Sequence, residues 1–145
     1  MIYSLLRTLH FIAIFGLIGA IVVENIAIKS SITKEDIINL AKIDAVAGAS
    51  AILTLGFGLV LWFGVGKPAE FYSSNPVFHG KLGLFSLLVL FAVYPAIFFF
   101  KQRNTDSDFI DVPKLVRVFL KIELLLVFII ALLAFLMARG IGLPN

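Results

Sequence analysis

"NPVFHGKLGLFSLLVLFAVYPAIFFF", Asn75 to Phe100, decides the fold. Asn75 is a good N-cap, and Pro76 suits the first helical position, where its missing N–H is no loss. From Leu82 to Phe100 no residue is charged. A run of ~20 apolar residues matches the hydrocarbon thickness of a bilayer when helical. The segment therefore reads as a membrane span over about 76–100.

The rest of the chain agrees. Of its 145 residues 61% are hydrophobic and only 14% are charged, and the mean hydropathy is +1.07. Soluble domains carry ~25% charged residues. Three further apolar stretches read as spans at about 3–28, 34–63 and 112–139. The first is too long for the apolar region of a signal peptide and carries His10 and Glu24, so it reads as a retained helix. Thr33 followed by Asp36 resembles a capping box and starts the second. Trp62, Phe71 and Tyr72 suit the membrane interface. The linker "KQRNTDSDFIDVPK" is the least apolar segment, and "GIGLPN" closes the last helix. The expectation is a single all-α membrane domain, an up-down bundle of four transmembrane helices, because lipid leaves backbone polar groups no outside partner.

Lysine and arginine set the orientation. Lys29, Lys34, Lys42, Lys101, Arg103, Lys114, Arg117 and Lys121 fall on one side, against Arg7, Lys67, Lys81 and Arg139 on the other. The richer side reads as cytoplasmic, which places both termini on the outer side of an inner (cytoplasmic) membrane. The net charge of +3 adds little. The absence of cysteine excludes disulfides, iron–sulfur clusters, thiolate zinc sites and covalent c-type haem. There is no basic patch interleaved with aromatics for nucleic acid, and "GVGK" lacks the spacing of a phosphate loop. "GLIGA" and "AVAGASA" are small-residue runs that let helices approach closely. Tyr94-Pro95 interrupts the hydrogen bonding of helix 3 and is expected to bend it, with the Tyr94 hydroxyl able to serve the gap.

Polar residues within spans carry the functional information, since each is costly to place there. One group is outer. His10 lies a turn or so into helix 1 and His79 about one turn into helix 3, at similar depth. Two imidazoles at equal depth on separate helices are what an axial pair on b-type haem needs. Gly83 and Ser86 share the face of His79 with Leu90 and leave room for a flat ring, and Arg7 is placed to meet a propionate. Lys81 completes the candidate cofactor-binding set. It points ~200° around the helix from His79 and suits snorkelling to headgroups. The plain alternative is that both histidines are interfacial anchors or hydrogen-bond donors. A zinc or copper site would need a carboxylate, and Glu70 is the one near that side.

The inner group is Glu24, Asp44, Lys121 and Glu123, with Arg117. Glu24 lies ~21 Å along helix 1 from His10, too far to join an outer site. Pairing with Lys121 or Arg117 is the expected role, and a proton path through Glu24 and Asp44 is the alternative.

Two resemblances rest on these residues. Leu9-His10-Phe11, Ala13-Ile14-Phe15, Gly19-Ala20 with Glu24, Phe71-Tyr72, Asn75-Pro76, Phe78-His79, Lys81-Leu82, Leu84-Phe85 and Tyr94-Pro95 resemble the pattern of a family of bacterial predicted membrane proteins of unknown function. More distantly, His10, His79, Lys81 and Leu82 resemble the J-type protoporphyrinogen IX oxidases. That likeness implies haem b, or a related tetrapyrrole, near the outer face with a redox or electron-transfer role, and His10 and His79 as iron ligands. The competing expectation is a non-enzymatic binding or scaffold protein. Its partners would be the lipid bilayer or another subunit. A second copy of the chain, a quinone and a tetrapyrrole are the further partners such a bundle can take.

Overall fold

The computed structural model describes residues 2–63 and 76–138. Helix α1 (Ile2–Ala27) leads through strand β1 (Ser31–Thr33) into α2 (Lys34–Phe63). Helix α3 (Pro76–Gln102) leads through β2 (Phe109–Asp111) into α4 (Lys114–Ala138). The expected Asn75 cap, Lys67, Glu70, Phe71, Tyr72, Arg139 and the closing segment lie outside the described residues, as does the Trp62 side chain.

All four helices are long and apolar enough to cross a membrane, and only 17–22% of each apolar window is buried within the chain. Phe15, Ile52, Leu90 and Leu132 are exposed. An apolar exterior of this extent belongs against lipid, and the protein is an all-α four-helix membrane bundle. Helix α1 packs most extensively on α2, and α3 on α4, while narrower seams between α1 and α4 and between α2 and α3 close the ring.

The cap of α2 is as expected: the Asp36 amide donates to Thr33 Oγ1 at 3.1 Å. Glu35 and Asp36 lie in the first turn, where the helix dipole favours acids. Two expectations are corrected. The polar linker holds a strand, and α4 starts at Lys114 rather than near Val112. Strands β1 and β2 pair antiparallel, with Ile32 opposite Ile110. The pairing is extended by Lys34 N–H to Asp108 O and Val112 N–H to Ser30 O. Ile32 and Ile110 are buried and their neighbours exposed, a period-2 pattern. Both close over a cluster that includes Ile37, Phe99, Val116 and Leu120. The bundle thus has a covered strand end and, opposite it, a far end where α1 and α3 begin. Helix α3 runs on through Pro95, and the Tyr94 ring packs edge-on against Phe119 at 5.6 Å.

Candidate functional site

The buried stripe of α2 is apolar near the strand end, at Ile37, Leu40 and Ala41. It then turns polar: Asp44, Ser50 and Thr54 are all buried. Asp44 and Ser50 each lie three residues from buried Ala47, and Thr54 lies four beyond Ser50, steps that keep them on the side that faces the other helices.

Asp44 meets two acids from other helices. Glu24 of α1 is fully buried and Glu123 of α4 is 3% exposed, against 8% for Asp44. The Glu24 carboxyl interacts with Asp44 and, more weakly, with Glu123. Neither Glu24 oxygen makes a well-formed hydrogen bond, and Glu123 Oε2 is likewise buried without a partner. The expected pairing of Glu24 with Lys121 or Arg117 is therefore not made. Lys121 is exposed, and the Arg117 Nε is itself buried without a partner. The physical reason is facing: Lys121 lies two residues from Glu123, ~200° around α4.

The three carboxyls form a layer between two apolar clusters. On one side lies the strand-end cluster with Ala41 and Leu120. On the other lies a mid-bundle cluster with Ile21, Ala47 and Leu126. Asn25, beside Glu24, ties α1 to α4 by donating its amide to the carbonyls of Ile21 at 2.9 Å and Leu120 at 3.0 Å. Among the described residues no group of three or more histidines or acids is spaced to hold a metal ion.

At the far end, half-buried His10 lies against the Thr54 backbone and under the influence of Lys81. A Cβ on Gly58 would stand 3.3 Å from its Cε1. His10 Nδ1 and Thr54 Oγ1 are both buried without a hydrogen-bond partner. Lys81 is half-buried. It turns into the bundle rather than out to the headgroups, which corrects its expected snorkelling. The ~200° between positions 79 and 81 then carries His79 outward: His79, Gly83 and Ser86 are exposed. The Ser86 hydroxyl donates to the Leu82 carbonyl of its own helix. Nothing lies within 4 Å of a Cβ placed on Gly83. Arg7 is exposed, with its guanidinium 5.4 Å from the Phe11 ring centroid. The structure sets Lys81 within electrostatic reach of His10, and sets the His79 face on the outside of the bundle.

The small-residue runs divide in the same way. Gly16 is a close-packing glycine, because a Cβ there would stand 2.9 Å from Ser50 Oγ. Gly48 is not: a Cβ there meets nothing within 4 Å. It lines a cleft of about 370 Å³ between α2 and α3, which also takes in Asp44 and Glu123.

All three acids stand out in the sequence, but their interaction with one another does not. Ser50, Thr54 and Asn25 were missed. The signal for the two hydroxyls was their spacing from Asp44 along one helical stripe.

A family model described as "Predicted membrane protein (DUF2214)" matches residues 2–142. No curated protein and no solved structure shows significant similarity to the chain.

Proposed function

The chain belongs to the DUF2214 family of predicted membrane proteins, and we propose that it handles protons within the bilayer. The carboxyl layer is the storage centre, and Ser50, Thr54 and His10 lead from it toward the far end. One observation carries this reading: three acids from three helices are buried together with no base paired to Glu24. A lone carboxylate in a low-dielectric interior must be compensated by a proton or a cation. The two hydroxyls on the buried stripe of α2 and the half-buried imidazole that α1 sets against Thr54 are groups that pass a proton by exchanging hydrogen bonds, and chains of acids and histidine in membranes serve as proton relays.

The test is proton flux into liposomes holding the purified protein, read with an internal pH dye under an imposed potassium diffusion potential. The wild type is expected to acidify the lumen faster than protein-free vesicles. Asp44→Asn and His10→Phe are expected to reduce that rate at least tenfold. A wild-type rate equal to empty vesicles, or variants that keep the wild-type rate, would overturn the reading.

A second reading keeps haem b, or a related tetrapyrrole, at the far end. Its support is His10, whose Nδ1 is buried without a partner. The outward face of His79, Gly83 and Ser86 ranks it second, because a ring held by that face would lie outside the bundle. When bound, haem would supply one-electron chemistry. A Soret band in protein expressed with added haem, lost in His10→Ala, would support this reading. Colourless protein would remove it.

A further inference from the structure

The cleft between α2 and α3 is open on its outer side. Ile52 is 74% exposed, Val93 48% and Val89 43%, and all three line it. These positions lie on the membrane-facing flank, so the opening is lateral, toward lipid. The walls are apolar, and small residues keep them apart: Gly48 and Ala51 from α2, Ala92 and Ala96 from α3. From Leu55 to Asp44, both of which line it, the cleft runs ~16 Å along α2. Its strand-end extremity is the one part lined by ionisable side chains, where Asp44 and Glu123 enter the lining. The second of these is almost fully buried and has an oxygen without a partner.

An apolar slot that opens to lipid and ends on carboxyls is complementary to one class of molecule. We infer that the cleft binds an amphiphilic cation dissolved in the membrane, with its alkyl chain along the α2–α3 seam and its ammonium head against Asp44 and Glu123. An uncharged lipid tail would fill the walls but make no use of the acids, which would have to keep their protons. An anionic amphiphile would place like charges together. The inference rests on the carboxyl layer being the working centre. It adds the substrate class: the compensating charge at the layer is a proton or the head of such a cation.

The experiment uses the full chain in nanodiscs and radiolabelled dodecyltrimethylammonium, a permanent cation whose own charge does not change with pH. Saturable binding is expected, displaced by the unlabelled cation and not by equal concentrations of dodecanol or dodecyl sulfate. Gly48→Leu fills open space in the cleft, and Asp44→Asn removes an ionisable carboxyl from its end. Each is expected to weaken binding at least tenfold while the protein stays monodisperse on size exclusion. Equal displacement by dodecanol would overturn the inference, as would binding unchanged in either variant. Proton flux by wild-type protein without cation binding would overturn this inference alone. Loss of both would also remove the reading on which it stands.

Discussion

His10 on α1 and Gly58 on α2 meet so closely that a Cβ added to Gly58 would stand 3.3 Å from the imidazole Cε1. Hydrogen at position 58 is what lets a five-membered ring sit half-buried between two helices. An alanine at 58 forces the ring to shift by a few tenths of an ångström, and a valine forces more. Gly58→Ala is expected to lower stability by about 1 kcal/mol and Gly58→Val by about 1–3 kcal/mol. Thermal unfolding in detergent checks this. Gly58→Val is also expected to slow proton flux as His10→Phe does, because both take the imidazole away from Thr54. A valine variant with wild-type stability and flux would mean that the ring has room the packing denies it.

Ile32 and Ile110 face one another across the two short strands and are 2% and 5% exposed. Ile110→Ala leaves a hole over Phe99 and Leu120 and is expected to destabilise by about 2–4 kcal/mol. Phe109→Ala, one residue away but 69% exposed, is expected to change stability by less than about 0.5 kcal/mol. Equal losses from the two would mean that the strand pair does not hold the register seen here.

That pair also marks where reading the sequence stopped. Spans of ~20 apolar residues announce themselves because lipid permits few structures. The Thr33 cap followed from a local hydrogen bond. The strands did not, because three residues carry too short a period to see. Their partners lie in different loops, and only pairing makes them strands. The acids were visible for a related reason: Glu24, Asp44 and Glu123 stand out in apolar surroundings. Which way each side chain turned was not visible. Helices apolar nearly all round have no moment to fix their rotation, so spacing alone puts Lys81 outward and the His79 face inward. Packing of α3 against α4 sets the rotation the other way.

Gly16 faces Ser50, and a Cβ on the glycine would come within 2.9 Å of the serine Oγ but 3.7 Å of its Cβ. The conflict therefore lies with the hydroxyl alone. Gly16→Ala is expected to destabilise by about 1–3 kcal/mol. Adding Ser50→Ala removes the clashing atom, so the double variant is expected to recover at least half of that loss. A double-mutant cycle of unfolding midpoints reads the coupling. Additive losses would show that α1 and α2 are held apart by something other than this contact.

Glu24 supplies the sharpest division between a structural and a working carboxyl. It is fully buried, and neither of its oxygens makes a well-formed hydrogen bond, its nearest polar company being the Asp44 carboxyl. Its neighbours in charge are Asp44 and Glu123. A carboxyl kept for stability would have its oxygens satisfied, and removing its charge would weaken the fold. Here the opposite is expected. Glu24→Gln preserves the shape, removes one of three ionisable groups, and provides an amide that can donate to Asp44. Stability is expected to rise by about 1–2 kcal/mol, within the range for relieving an unsatisfied buried polar group, while proton flux falls at least tenfold. Unfolding temperature and liposome flux on the same preparation check both halves. If stability and flux fall together, Glu24 is a packing element whose loss disorders the bundle. If stability rises and flux persists, Asp44 and Glu123 carry the proton without it. Stability bought at the expense of flux would mark Glu24 as a residue held in an unfavourable place for what it does there.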